Sequence, residues 1–234
     1  MAQTRIVSPD SKSPARDRLH EPAPRLDVRV VLFTAAGGTL LLTLENYERG
    51  LRLPAGAPLA AEPFDIAARR IARESTALRE QYLEQLYTLS LTDSGGWMVV
   101  VSYMALLSSS GSGPVPGEGA SWYAVDSLPT ISAPDQMVID YALVRLRAKL
   151  GYTTVAFHLL PPTFTLTELQ GAYETILGHP LDKRNFRRRV IAAGILARTD
   201  TQRRQGSHRP AALYRFHSLD DREAYLTPLW AERS

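Results

Sequence analysis

Basic side chains crowd into one short stretch of the sequence, and their chemistry is that of a polyanion binder. Residues 183–215 carry ten Lys and Arg side chains against one acidic side chain, Asp200, which gives this stretch a charge of +9. The whole chain has a net charge of only +3, so the remainder carries −6. A concentrated basic face on an otherwise acidic-to-neutral protein is typical of proteins that bind nucleic acid.

The first half of this stretch has the pattern of a helix that reads DNA bases. An amphipathic helix over residues 183–193 turns Phe186 and Val190 inward. The positions that then face solvent are held by Lys183, Arg184, Asn185, Arg187 and Arg188. Arginine can pair bidentately with guanine, and asparagine with adenine, in the major groove. The helix therefore predicts contacts with double-stranded DNA.

Local signals around this helix predict a helix-turn-helix. Thr165 and Glu168 form a capping box, in which a hydroxyl and a carboxylate satisfy backbone N–H groups at the start of a helix. Gly178 is a suitable C-terminal stop and Pro180 blocks continuation of the helix. Asp182 is a suitable cap for the second helix. Two helices joined by a tight turn follow from these signals.

A candidate wing follows the second helix. Two short strands are predicted at residues 195–199 and 211–216, joined by a polar loop over residues 200–210, and residues 155–160 predict another short strand. The wing side chains suited to phosphates or a narrow minor groove are Arg203, Arg204, His208 and Arg209. The order of elements predicts an α+β winged helix-turn-helix domain over residues 151–234. An RNA or acidic-protein contact is the alternative for this basic face.

The preceding part of the chain has the pattern of an α/β domain, a mixed sheet with flanking helices, over residues 26–150. Strand-like runs separated by turn residues cover residues 26–34, 39–44, 51–53, 84–92, 97–107 and 121–125. Helical spacing of apolar residues covers residues 63–76 and 137–149. Residues 1–25 are rich in proline, serine and charge without periodicity, and we expect a disordered tail there.

Composition narrows the chemistry further. The 234 residues contain no cysteine, which excludes disulfides, thiolate metal sites and a cysteine nucleophile. No apolar run reaches the roughly 18 residues that a membrane span needs, and the first 26 residues lack the apolar stretch of a signal peptide. We therefore expect a cytoplasmic protein that has no membrane partner.

The sequence resembles the Nudix-related transcriptional regulators of NrtR type. The segments FTLTELQGAYETILGHPLDKRNFRRRVIAAGIL and RPAALYRF, within residues 164–216, resemble the winged-helix segment of that family. More loosely, LRLPAG stands where a Nudix domain enters its signature motif, and PDQMVIDYALVRLRAKLGYT stands where the family has its inter-domain helix. The resemblance implies a Nudix-like domain followed by a winged helix.

The Nudix signature can be placed on Gly56, Glu62 and Arg70, but the carboxylates that bind metal are mostly missing. Of the three carboxylates that the family signature has at positions 71, 74 and 75, only Glu74 is present, because Ile71 and Ser75 replace the other two. Mg²⁺ prefers several hard oxygen ligands in octahedral geometry. We therefore expect no metal, no catalytic residues and no enzyme activity. An active Nudix hydrolase of nucleoside diphosphate compounds is the alternative.

The resemblance further implies a homodimeric repressor of genes of NAD metabolism. Its Nudix-like pocket is implied to sense ADP-ribose or a related nucleotide, and no cofactor is implied. The candidate effector-binding residues are Arg52, Glu62, Arg70 and Glu74. For the last three, an internal ion-pair network that steadies the loop is an equal alternative. A regulator of sugar catabolism with a different phosphorylated effector is a second interpretation. Three aromatic residues could stack on an adenine or simply pack between strands, and these are Phe33, Tyr47 and Trp97.

Overall fold

A seven-stranded mixed sheet organises the first part of the protein. The computed structural model describes residues 23–48, 50–77, 80–93, 95–108, 114–203 and 211–216. The strands of the sheet are β1 (Arg25–Ala36), β2 (Thr39–Tyr47), β3 (Gly50–Arg52), β4 (Ala55–Gly56), β5 (Glu80–Asp93), β6 (Gly96–Leu107) and β7 (Ala120–Ala124). Helix α1 (Phe64–Ser75) lies between β4 and β5 in sequence, and helix α2 (Ala133–Leu150) follows β7.

The strand order in this sheet is β3-β2-β1-β6-β5, with β4 paired to β1 and β7 paired to β2. The β1 and β6 strands are parallel, and all the other pairs are antiparallel. The β1–β2 hairpin turns at Gly37 and Gly38, whose φ angles of 59° and 79° lie in the left-handed region that glycine adopts at little cost. The predicted mixed sheet is therefore confirmed.

The two faces of the sheet carry two hydrophobic clusters, as the two-residue periodicity of strands requires. One face packs β1 and β6 against α1, through residues such as Val30, Ala68 and Ile71. The other face packs Phe33 and the α2 side chains, and this cluster continues without a break into the second part of the chain. Because the cores are continuous, a shift at the sheet can be transmitted to the second part by packing alone.

The second part contains α3 (Leu166–Leu177), α4 (Lys183–Ala192), β8 (Leu196–Arg203) and β9 (Ala211–Phe216). The strand predicted at residues 155–160 is wrong, because Val155–Leu159 is a 3-10 helix. Val155, Ala156 and Phe157 are all buried in succession, which a strand with one exposed face does not allow. The wing loop is also shorter than predicted at its first end, because Gln202 and Arg203 still pair with β9 after a bulge.

A polar cluster connects the sheet, α2 and the 3-10 helix, and we call Tyr82, Glu84, Arg145 and Lys149 the Glu84 network. Glu84 accepts hydrogen bonds from the Tyr82 hydroxyl at 2.6 Å and Arg145 Nη2 at 2.8 Å, and Lys149 Nζ lies 3.2 Å from Glu84 Oε2. The Tyr82 ring contacts His158 of the 3-10 helix, with centroids 5.1 Å apart. Burial lowers the pKa of His158, so the neutral imidazole is favoured at this contact.

The disordered tail was predicted over residues 1–25. Residues 1–22 of it lie outside the described residues, and Arg25 is the first residue of β1. Within the described ranges, no helix combines the length and apolar character needed to cross a membrane.

Candidate nucleic-acid interface and Nudix-like site

The turn between α3 and α4 is fixed by the signals that predicted it. The Thr165 hydroxyl accepts the Glu168 N–H at 3.1 Å and the Glu168 carboxylate accepts the Thr165 N–H at 2.7 Å, which completes the capping box. Gly178 ends α3 in the left-handed conformation, with φ 78°. Glu174 Oε1 then accepts the Leu181 N–H at 2.8 Å, which holds the turn against α3.

The orientation of α4 is set by one cap and two buried side chains. The Asp182 carboxylate accepts the Asn185 N–H at 2.7 Å, so it satisfies a backbone donor at the start of the helix. Phe186 and Val190 are buried, and the Phe186 ring meets the Tyr173 ring edge-on at 5.2 Å. Burying this apolar stripe leaves the opposite face of α4 toward solvent. The predicted helix and its inward face are confirmed.

The solvent-facing side of α4 brings four predicted DNA-binding residues together, and we call Lys183, Arg184, Asn185 and Arg188 the recognition surface. Lys183, Arg184 and Arg188 are exposed, and Asn185 is half-buried. Arg188 Nη2 donates to Asn185 Oδ1 at 2.9 Å, so the two side chains that can read bases are already oriented against each other. Arg187, also predicted, is half-buried and donates from Nη2 to Thr167 Oγ1 of α3 at 2.9 Å.

In the wing, Arg203 makes contacts that the sequence did not indicate. Its Nη1 lies 2.6 Å from Glu168 Oε1, and its Nη2 donates to the Thr163 carbonyl at 3.2 Å. Arg203 therefore ties β8 to the capping box of α3, and its contact with DNA stays a prediction. The other three predicted wing residues, Arg204, His208 and Arg209, lie outside the described residues.

Three of the predicted effector-binding residues form an ion-pair network that joins Arg70 and Glu74 of α1 to Glu62 in the loop before it. Arg70 donates to the two Glu62 carboxylate oxygens, at 3.0 Å from Nε and 2.8 Å from Nη2, and its Nη1 lies 3.4 Å from Glu74 Oε1. Glu62 also accepts the Leu59 N–H at 2.8 Å, and these bonds lower the pKa of Glu62. The internal network that the sequence allowed is thus confirmed, and it keeps Glu62 ionised.

The fourth predicted residue, Arg52, belongs to a separate cluster at the end of α1. Its guanidinium stacks over the Tyr47 ring, 3.8 Å from the centroid, and its Nε lies 3.7 Å from Glu45 Oε2. The Ser75 hydroxyl lies 2.6 Å from Glu45 Oε1, in hydrogen-bond range. Arg52 Nε is buried and has no hydrogen-bond partner among the described residues. The Arg52 side chain is 32% exposed, so this cluster presents a partly exposed cation beside the Glu45 carboxylate.

The positions that hold metal in the Nudix signature do not fit a divalent cation in this chain. Ile71 of α1 is buried in the cluster that includes β1, and Ser75 is 1% exposed and contacts Glu45. Glu74, the one remaining carboxylate of the three, is paired to Arg70. Within the ranges that the structure describes, no group of three or more His, Asp or Glu residues could hold a metal ion. The donor set is too small for Mg²⁺, which needs several oxygen ligands.

Sequence reasoning missed Glu45 and Gly117 near this cluster. Gly117 lies directly against the end of α1, because its N–H donates to the Ser75 carbonyl at 3.0 Å and a Cβ added there would lie 2.5 Å from the Glu74 carbonyl oxygen. Glu45 directly follows the apolar run predicted at residues 39–44, and β2 continues past it to Tyr47. A charged residue within the run TLLLTLENY was the available signal for it.

The three candidate stacking aromatics are in different environments. Phe33 is fully buried in the core, so stacking on a ligand is wrong for this residue. Tyr47 is about half exposed and already carries the Arg52 guanidinium on its ring. Trp97 is also about half exposed, and its Nε1 donates to the Ser90 hydroxyl at 2.6 Å.

The chain combines a seven-stranded mixed sheet with a capped helix-turn-helix and a two-stranded wing. This combination defines a class of protein in which a Nudix-like domain is joined to a winged helix. Residues 156–216 match the family model of the NrtR DNA-binding winged helix domain. The chain is 35% identical, over 212 residues, to the ADPR responsive transcriptional repressor NtrR of Acinetobacter baylyi, covering 85% of this chain and 84% of the relative. The chain belongs to the NrtR family.

Solved structures agree with this assignment. Shewanella oneidensis NrtR in complex with a 27mer DNA is 31% identical and has a TM-score of 0.69, covering 82% of this chain and 93% of that chain. A second crystal structure of Shewanella oneidensis NrtR gives a TM-score of 0.67 at 30% identity. A MutT/nudix family protein from Enterococcus faecalis, 18% identical with a TM-score of 0.65, shares the fold.

Proposed function

We propose that this protein is a transcriptional repressor that binds operator DNA as a homodimer and senses ADP-ribose through its Nudix-like domain. The observation that carries the proposal is the recognition surface, where exposed cationic side chains and an oriented asparagine lie on a helix whose inward face is fixed by Phe186 and Val190. The Acinetobacter relative is an ADPR responsive repressor, and the Shewanella relative was solved with DNA. Genes of NAD metabolism are the proposed targets.

The predicted DNA-binding residues are assigned different roles according to their chemistry and to whether α3 already binds them. Arg188 and Asn185 are proposed to contact base edges, because they have the donor and acceptor geometry for guanine and adenine. Lys183 and Arg184 are proposed to contact phosphates at the same end of α4, as are Arg204, His208 and Arg209 in the wing. Arg187 and Arg203, which are tied to α3, are proposed to steady the recognition helix and wing while adding positive charge.

The effector is proposed to bind at the Arg52 cluster and at the ion-pair network of Glu62, Arg70 and Glu74, because Glu74 and Ser75 are adjacent residues at the end of α1. Arg52 supplies a partly exposed cation for a phosphate oxygen. Glu62, Arg70 and Glu74 then shape the loop and add polar groups at its rim. A sugar-catabolism regulator with another phosphorylated effector is the second candidate, because an arginine can pair with the phosphate of either effector.

The domain is proposed to bind its ligand without hydrolysing it. Ile71 and Ser75 stand where two carboxylates would be needed to gather Mg²⁺ around a pyrophosphate. We expect the purified protein, incubated with ADP-ribose and Mg²⁺, to release no AMP above the buffer blank, measured by chromatography. Mg²⁺-dependent release of AMP that Glu74→Gln abolishes would establish the alternative, an active Nudix hydrolase.

Fluorescence anisotropy with the upstream region of the protein's own gene tests the whole proposal. We expect preferential binding to that duplex over a scrambled one across a salt series, and a change in affinity when ADP-ribose is added. A response to a sugar phosphate but not to ADP-ribose would favour the second effector. Equal binding to both duplexes, or to duplex RNA of the same sequence, would contradict specific DNA reading.

A further inference from the structure

Helix α4 carries one large apolar side chain on its outward face, that of Ile191. This residue is 58% exposed and belongs to neither hydrophobic cluster of the described residues. Phe186 and Val190 already bury the inward face of the helix, so Ile191 is not part of the packing that orients α4. Single exposed apolar residues are common on protein surfaces, and exposure alone identifies no site. The position of Ile191 on the helix is what indicates a role.

Ile191 lies in line with two cations of the recognition surface. It follows Arg184 by seven residues and Arg188 by three, so it lies within about 20° of Arg184 around the helix axis and beside Arg188 on the helix surface. Together with Arg187, these residues occupy positions i, i+3, i+4 and i+7 of one face. The base-contacting residues in the recognition helix of homeodomains have the same spacing. Ile191 therefore belongs to the face that the proposed function directs toward the bases.

The chemistry of isoleucine limits what this side chain can contact on DNA. It has no hydrogen-bonding group, so it cannot bind a phosphate oxygen or pair with the donors and acceptors of the base edges, and covering those groups would leave them unsatisfied. The apolar group that base pairs present in the major groove is the C5-methyl of thymine. The cations beside Ile191 attract the phosphates of the duplex, which favours close contact between this face and the groove.

We propose that Ile191 is a specificity-determining residue, which recognises a thymine of the operator by packing on its C5-methyl group. The inference rests on the DNA binding of the proposed function and on neither its effector nor its oligomeric state. Ile191 lies about 4.5 Å along the helix axis from Arg188, close to the step of about 3.4 Å between base pairs. The recognised thymine therefore lies within about two base pairs of the base that contacts Arg188.

Replacing single thymines with deoxyuridine tests this contact directly, because deoxyuridine lacks the methyl group and keeps every hydrogen-bonding group of thymine. The probe is the duplex from the upstream region of the protein's own gene, titrated with the full chain and followed by fluorescence anisotropy. We expect at least one thymine position at which the replacement weakens wild-type binding by about 4-fold, since burial of a methyl-sized group contributes about 0.8 kcal/mol.

The variant Ile191→Ala completes the test, because alanine keeps the helix and removes the three carbons that reach the methyl. It should bind the thymine and deoxyuridine duplexes equally, whereas the control Ile66→Ala, at an exposed isoleucine of α1, should keep the wild-type difference. A wild type that responds to deoxyuridine at no position, or an Ile191→Ala variant that keeps the response, would overturn the role of Ile191 and leave specific operator binding in place. Equal wild-type binding to operator and scrambled duplexes would overturn the proposed function and this inference together.

Discussion

Replacing Arg188 with alanine is expected to weaken binding to the operator by about 5- to 150-fold, with little effect on folding. Arg188 is exposed on α4, and its removal deletes a side chain that can pair bidentately with guanine. It also deletes the 2.9 Å bond from Nη2 to Asn185 Oδ1, so the asparagine loses the group that orients its amide. Anisotropy titrations on operator and scrambled duplexes, at one salt concentration, measure the effect.

The coupling between these two residues provides a sharper test than either substitution alone. Asn185→Ala is expected to weaken operator binding by a similar factor, and the double variant by less than the product of the two factors, because the residues act as a unit. Arg73→Ala, which removes an exposed arginine on α1, is the control for loss of net charge and should leave the operator preference unchanged. Unchanged operator affinity in both single variants would count against α4 as the base-reading helix.

The helix-turn-helix was predictable because its signals are local. Thr165 and Glu168 are three residues apart, and Gly178 and Asp182 act on their own helix ends, so each signal needs only the neighbouring sequence. The alternation of apolar residues located the strands for the same reason. The prediction was wrong at Val155–Leu159, which is a 3-10 helix. This segment is buried, so its residues form an apolar run that has the same pattern as a buried strand.

The candidate site was predictable in its residue types but not in its pairings. Arg203 was predicted from its residue type as a wing cation, but its partner Glu168 lies 35 residues away in sequence and was not predicted. The Ser75–Glu45 contact spans 30 residues and the Arg145–Glu84 pair spans 61. Such contacts depend on which strands become neighbours in the sheet, and a single sequence contains no periodic signal for that.

Long-range ion pairs of this kind also contribute to the stability of the fold, and the largest predicted loss of stability is at Glu84. Glu84→Gln is expected to lower the free energy of unfolding by about 3 kcal/mol at neutral pH, because removing one charge from a buried pair leaves the others uncompensated. Glu84 and Lys149 have side chains only 16% and 5% exposed, while Arg145 is 42% exposed and contributes less. Urea unfolding followed by circular dichroism, with the wild type measured in parallel, gives the difference.

The pH dependence distinguishes lost charge from lost packing. Burial raises the pKa of Glu84, but hydrogen bonds from Tyr82 and Arg145 and the charge of Lys149 outweigh it, so the net shift lowers the pKa below the ordinary value of 4.5. The stabilisation by the ionised carboxylate is therefore present above pH 4.5 and is lost as pH falls through the lowered pKa. The difference between wild type and Glu84→Gln should shrink over that range. Glu118→Gln, at an exposed carboxylate, should show no loss at any pH, and a Glu84→Gln deficit that persisted unchanged in acid would mean that shape and not charge holds α2 against the sheet.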